Sequence, residues 1–98
     1  MPTAITLQNL LNQKPESYVL IDIRSPGEFA THHAKNAFNV PYEVLMMYPE
    51  SYLNKTQVYY LICAHGTLSH RASAILRSYG YKVGNIKSGY DMRCFCYC

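Results

Sequence analysis

Apolar and polar positions alternate along this chain with two different periods. Tyr18-Val19-Leu20-Ile21-Asp22-Ile23-Arg24 is a near-continuous apolar run interrupted by one carboxylate, the pattern of a strand covered on both faces. Gln57 to Cys63 repeats it and is the predicted central strand; Lys82 to Ile86 is the predicted last one. Ile5 and the stretch Ala37 to Val40 predict two briefer strands. Between these segments the spacing becomes helical. Leu7, Leu10 and Leu11 follow Thr6, a suitable N-cap. Ser25-Pro26-Gly27-Glu28 opens a short helix ending near His32 or His33. In it Ser25 caps, Pro26 takes the first helical position and Glu28 completes a capping box. Pro41 opens another helix, with Val44, Leu45 and Tyr48 on one face, and Pro49 stops it. Glu50 to Thr56 reads as polar connection. Ser69 is the expected N-cap of a helix from His70 to Tyr79, whose apolar stripe is Ala72, Ile75, Leu76 and Tyr79. Gly80 is placed to end that helix, and Lys87-Ser88-Gly89 reads as a turn. Strands alternating with helices predict an α/β domain: a central parallel sheet with right-handed crossovers and helices on both faces.

This reading puts Cys63 where the central strand gives way to a helix. In open α/β sheets, sites form outside the carboxyl ends of the strands. A sulfur placed there meets the positive end of the helix dipole and unpaired N–H groups, which stabilise a thiolate. Cys63 is therefore the candidate nucleophile, and Ala64-His65-Gly66-Thr67-Leu68-Ser69 the candidate anion cradle. Residues 64–69 can curl so that their N–H groups face a bound anion. Gly66 permits the tight backbone, and Thr67 and Ser69 offer hydroxyl donors. Arg71, expected in the first helical turn, is a candidate for attracting that anion or else a solvated helix residue. His65 and His70 either help hold the anion or face solvent. Asp22 and Arg24 read as structural: a partly buried carboxylate needs partners, and Arg24 with Glu28 can pair locally. The competing reading of Cys63 is an inert buried thiol.

Composition narrows the function classes. Ninety-eight residues make one domain, and 49% hydrophobic content is enough for a core. The net charge of +3 is mild, and no basic run or basic helix face stands out, which argues against nucleic-acid binding. The cations suit a small anionic substrate instead. No signal peptide opens the chain and no apolar run approaches the ~20 residues of a membrane span, so a reducing cytoplasm and no membrane are expected. Of four cysteines, three crowd the last five positions, a poor disulfide pattern. Extended, Cys94, Cys96 and Cys98 would share one face, able to hold a soft metal. Three thiols without a fourth ligand fall short of a zinc site, and incidental thiols at a frayed terminus are the preferred reading. Adjacent His32 and His33 do not face one metal. No metal and no cofactor are expected.

Three segments together resemble the rhodanese domain family. Leu20-Ile21-Asp22-Ile23-Arg24-Ser25-Pro26-Gly27-Glu28-Phe29 is similar to its first signature, a strand ending in Asp-x-Arg followed by Glu. His33-Ala34-Lys35-Asn36-Ala37-Phe38-Asn39-Val40-Pro41 resembles its second. The third is Tyr60-Leu61-Ile62-Cys63 with the loop to Ser69, then a helix and Gly80-Tyr81. The resemblance covers roughly residues 5–90, and Cys-x-His-Gly is closest to small single-domain thiosulfate sulfurtransferases. It implies one rhodanese-like domain over 1–98, with 91–98 an atypical tail. It also implies a sulfurtransferase that moves sulfane sulfur from thiosulfate or a similar donor to cyanide or a thiol acceptor through a Cys63 persulfide. A small anionic donor and a thiol or protein acceptor follow as partners. The chain departs from the family pattern at His32 and Asn36 of the second signature, where glycines are usual, and in three further places. Many members place Arg where this chain has Leu68; the usual Gly-Gly and Trp read Ser88-Gly89-Tyr90; and the closing helix is replaced by residues 91–98. Leu68 keeps open an alternative, a sulfur-relay or protein-binding module that keeps the fold without free turnover. A cysteine phosphatase or arsenate reductase would need Arg at the position of Ser69, and Arg71 is two residues too late.

Overall fold

A computed structural model describes residues 3–90. Five strands form a single parallel sheet in the order β1-β5-β4-β2-β3. They are β1 (Ala4–Ile5), β2 (Val19–Asp22), β3 (Phe38–Asn39), β4 (Val58–Ile62) and β5 (Lys82–Ile86). The helices are α1 (Leu7–Leu11), α2 (Pro26–Thr31), α3 (Tyr42–Met47), α4 (Pro49–Tyr52) and α5 (Thr67–Ser78). A short 3-10 turn, Pro15–Ser17, precedes β2.

Side-chain alternation along the strands divides the core into two layers. Ile21, Ile23, Tyr59, Leu61, Cys63 and Val83 pack on one face against Leu45 of α3, Leu53 after α4, and Ala72 and Leu76 of α5. Leu20, Tyr60, Ile62 and Ile86 pack on the other against Leu7 and Leu10 of α1, together with Ala34 and Tyr90. Helices thus cover both faces, which is why β2 and β4 read as continuous apolar runs.

Local chemistry sets the helix ends. The Thr6 hydroxyl accepts from Asn9 N–H at 3.1 Å and starts α1. Ser25 and Glu28 form the expected reciprocal capping box on α2. At the end of α5, Gly80 N–H donates to Arg77 C=O at 2.9 Å and Tyr81 N–H to Leu76 C=O at 3.2 Å. Gly80 takes φ +98° to do so, a double closure that satisfies two carbonyls of the last turn.

Three expectations are corrected. Glu50 to Thr56 is not all connection: Pro49 ends α3 and also occupies the first position of α4, where its fixed φ suits a helix. Helix α5 begins at Thr67 rather than His70, with Gly66 as N-cap, so Ser69 lies inside the first turn. Leu11, Tyr48 and Tyr79, each the last residue of a predicted apolar stripe, are exposed. Leu11 closes α1, and Tyr48 and Tyr79 fall one residue beyond α3 and α5. A stripe's final position falls where the helix no longer holds its face to the sheet.

Candidate functional site

The sheet order places the site. After β2 the chain moves outward to β3, whereas β4 lies on the other side of β2 and leads to β5. The connections leaving β2 and β4 therefore diverge, and the crevice at their carboxyl ends is a topological switch point. The register is level there: Asp22 pairs with Ile62, and Ile23 N–H donates to Ile62 C=O at 3.0 Å. Ile23 and Cys63 thus leave the sheet level with each other, and Arg24 follows one residue further on.

The crevice is a pocket of about 370 Å³. Ile23, Arg24, Ser25 and Glu28 line it from the β2 side, and Cys63, Ala64, His65, Thr67 and Leu68 from the β4 side. Tyr42 and Glu43 close it from the start of α3. That start is carried to the pocket by the edge strand: Val40 N–H donates to Asp22 C=O and Tyr42 N–H to Ile23 C=O, both at 3.0 Å. A larger cleft of about 620 Å³, walled by Pro15, Tyr18 and Phe38, shares no lining residue with this pocket and has no cysteine in its lining.

Cys63 is 4% exposed. Its Sγ accepts N–H groups from Gly66 at 3.2 Å and Ser69 at 3.3 Å. Gly66 is the N-cap and Ser69 the third helical residue. The sulfur thus does what an N-cap hydroxyl or carboxylate ordinarily does, satisfying the third residue's orphan N–H. This explains how α5 begins at a residue with no capping side chain. The geometry demands glycine at position 66: φ is +90°, and a Cβ there would stand 2.7 Å from Ser88 N. A Cβ on Gly89 would run into the Cys63 carbonyl oxygen. The turn after β5 therefore packs directly on the Cys63 loop.

Not every residue of the expected cradle meets the pocket in the same way. Gly66 and Ser69 reach the sulfur through their backbone. Thr67 lines the pocket and is exposed; the Ser69 hydroxyl is turned away and donates to Gly66 C=O at 3.2 Å. His65 is exposed at the rim. Arg71 is exposed, outside the lining, and in the second turn of α5 rather than the first. His70 is exposed and also outside the lining.

Behind the pocket lies a buried polar cluster. Arg24 Nη2 donates to Asp22 Oδ2 at 2.8 Å, and Nε contacts both carboxylate oxygens. Asp22 is fully buried and Arg24 7% exposed. Arg24 Nη2 also donates to His32 C=O at 2.7 Å, and the guanidinium carbon sits 4.1 Å from the centre of the Tyr90 ring. Tyr90 OH donates to Asp22 Oδ2 at 2.9 Å and accepts Ala34 N–H at 2.8 Å. Tyr90 N–H donates to the carbonyls of Cys63 and Ala64, at 3.1 and 3.0 Å. One cluster thereby ties together the β2 end, the segment after α2 and the Cys63 loop. Burial raises the Tyr90 pKa above its ordinary value, and the neighbouring Asp22 charge adds to that. Burial by itself lowers the pKa of Arg24; the hydrogen bond and charge of Asp22 outweigh it, and the net shift is upward. Arg24 therefore stays cationic, as its pairing requires.

Sequence reasoning missed Tyr42, Glu43 and Tyr90. The available signal was position: Tyr42 and Glu43 directly follow the second signature, and Tyr90 follows the last strand's turn. Cys94, Cys96 and Cys98 lie outside the described residues. Among the described residues no helix is long and apolar enough to cross a membrane.

A parallel sheet with a cysteine at its switch point, held by helix N-terminal N–H groups, defines a class of α/β thiol proteins. Within it, the rhodanese-like domain family matches residues 3–92, and the chain belongs to that family. Thiosulfate sulfurtransferase GlpE of Vibrio cholerae is 29% identical over 85 residues, covering 86% of this chain and 77% of that protein. A probable molybdopterin-synthase adenylyltransferase of Porphyra purpurea is 30% identical over 86 residues; these cover 87% of this chain and only 22% of the adenylyltransferase. Among solved structures, a rhodanese-related protein of Thermoplasma volcanium superposes with a TM-score of 0.81 at 26% identity, covering 91% of this chain and 87% of that one. A rhodanese-like domain protein of Staphylococcus aureus gives 0.75 at 30% identity, covering 89% and 86%.

Proposed function

We propose that this protein is a sulfurtransferase that carries sulfane sulfur on Cys63. The observation that supports this most is the Cys63 sulfur at the pocket floor, accepting two main-chain N–H groups of α5. In the first half-reaction the thiolate attacks the outer sulfur of thiosulfate or a similar donor. A new S–S bond forms, the donor's S–S bond breaks, and sulfite leaves with the bonding electron pair. In the second half-reaction an acceptor attacks the outer persulfide sulfur; cyanide becomes thiocyanate and the Cys63 thiolate returns. The N–H groups of residues 64–69 stabilise the negative charge that builds on the transferred sulfur, as donors do in an oxyanion hole. A protein or small thiol is the expected biological acceptor, and the cytoplasm the expected compartment.

Steady-state thiocyanate production from thiosulfate and cyanide tests this reading. The wild-type protein should turn over, and Cys63→Ser should lose at least about 10³-fold in rate, the scale seen when a nucleophile is removed. The variant's circular dichroism should be unchanged. Full activity in Cys63→Ser would sink the mechanism. A second reading, a relay module without free turnover, draws on Leu68, which gives the pocket wall an apolar side chain and no cation. It predicts sulfur uptake on Cys63 but no thiocyanate.

A further inference from the structure

The formal charges lining the pocket do not suit a dianion such as thiosulfate. Arg24 contributes one positive charge, but Asp22, its buried partner at 2.8 Å, offsets it. Apart from Cys63 itself and the Tyr42 phenol, the remaining ionisable side chains of the described lining are two exposed carboxylates, Glu28 and Glu43, and the His65 imidazole. Leu68 faces the pocket where a cation would draw in an anion, and exposed Arg71 lies outside the lining. The helix N-terminal N–H groups act at Cys63 Sγ, the atom to which the transferred sulfur would be bound. Glu28 and Glu43 line the same pocket and would meet the rest of a bound donor.

We infer that Glu28 and Glu43 set donor specificity. They favour an alkyl persulfide whose carbon skeleton is neutral or cationic over a donor with an anionic far end. This rests on the Cys63 reading above and narrows its donor class. The step stays balanced. The Cys63 thiolate attacks the outer sulfur of R–S–SH, one S–S bond forms as another breaks, and R–S⁻ leaves with the electron pair. A leaving thiolate with a cationic tail departs past two carboxylates; sulfite, or a thiolate with a carboxylate tail, is repelled by them. Glu28 also accepts the Ser25 N–H and hydroxyl hydrogen bonds of the α2 cap, so its replacement would disturb the helix. Glu43, exposed in the first turn of α3, is the position at which charge can be changed alone.

The test compares the persulfides of cysteamine and thioglycolate, of similar size and opposite charge, with cyanide as acceptor. The readout is the ratio of their kcat/KM values, measured in wild type, Glu43→Gln and Glu43→Lys. Intrinsic reactivity differences between the donors cancel between variants. The ratio in favour of cysteamine persulfide should fall about three- to fivefold in Glu43→Gln and further in Glu43→Lys, the scale of exposed charge pairs. In wild type alone it should shrink as salt rises from about 20 to about 500 mM, because screening weakens such pairs. A ratio indifferent to all three charges at position 43 and to salt would overturn the inference and leave the Cys63 mechanism standing. Failure of every donor, thiosulfate included, to load Cys63 would overturn both. Blocked cysteine-persulfide peptides flanked by lysines or by glutamates extend the comparison to protein-borne donors. A lysine preference larger than the cysteamine preference assigns a polypeptide source, and a smaller one a free persulfide. Preference for the glutamate peptide would contradict the inference.

Discussion

Cys63 and Arg24 lie beyond the same, carboxyl end of the strands, one after β4 and one after β2, and their polar partners are of opposite kinds. Cys63 is held by main-chain N–H groups and faces a pocket open to solvent. Arg24 is held by a carboxylate, a carbonyl and an aromatic ring, all packed behind that pocket. Main-chain donors cannot be repositioned without moving the helix, so the sulfur site is rigid without depending on any one side chain. The Arg24 cluster depends on its side chains, and removing one strands the others. Loss at the first region should therefore appear mainly in activity, and loss at the second mainly in stability.

The largest effect on stability is expected from Asp22→Ala. It leaves a buried guanidinium without its counter-charge and should cost about 3–5 kcal/mol. For a domain of this size that lowers Tm by roughly 15 °C or more, readable by calorimetry. An unchanged Tm would show that the pair is not structurally required. Gly66→Ala crosses between the two regions. A Cβ at φ +90° costs about 1–2 kcal/mol and also presses on the Ser88 backbone. Turnover should fall about tenfold or more because the N–H nearest the sulfur moves. A variant that keeps wild-type turnover would mean that the Gly66 N–H contact does not matter to the chemistry.

Tyr90→Phe removes one hydrogen bond to Asp22 and the acceptor of Ala34 N–H, an expected loss of about 1–3 kcal/mol. It also carries a pH signature. The folded-state pKa is raised above the ordinary 10.0, mainly by burial. The stability it contributes is therefore complete below pH 10.0 and is lost as pH rises above it, where only the unfolded phenol ionises. Denaturant titrations should show wild type losing stability above pH 10 more steeply than Tyr90→Phe; parallel curves would remove the phenol from the account. The smallest effect belongs to Ser69→Ala. Its hydroxyl serves Gly66 C=O, so stability should drop by about 1 kcal/mol and kcat/KM stay within about twofold. A loss of a hundredfold would put that hydroxyl back on the substrate.

The same contrast explains what could be read from the sequence. β2, β4, β5 and the α2 cap are written in local pattern: apolar runs, a capping box, a glycine at a helix end. The position of Cys63 between β4 and α5 was legible because strand, cysteine and helix are contiguous. The onset of α5 was not, because its cap is a sulfur and not one of the usual capping side chains. Ser69 was assigned a capping role that the chain gives to Cys63. Arg71 looked close to the loop only while the helix was taken to start late. The far wall, Tyr42 and Glu43, depends on how β3 sits beside β2, which no local spacing encodes. The Tyr90–Asp22 hydrogen bond joins residues 68 apart in the chain. Tyrosine at that position reads locally as one of ten.

The central claim is that sulfur rides on Cys63. Peptide mass spectrometry after incubating the reduced, folded protein with saturating thiosulfate, before and after adding cyanide, tests it most directly. One added sulfur on the Cys63 peptide, removed by cyanide with thiocyanate formed in equal amount, is the predicted result. No added sulfur on Cys63, or sulfur that appears only on Cys94, Cys96 or Cys98, would contradict it.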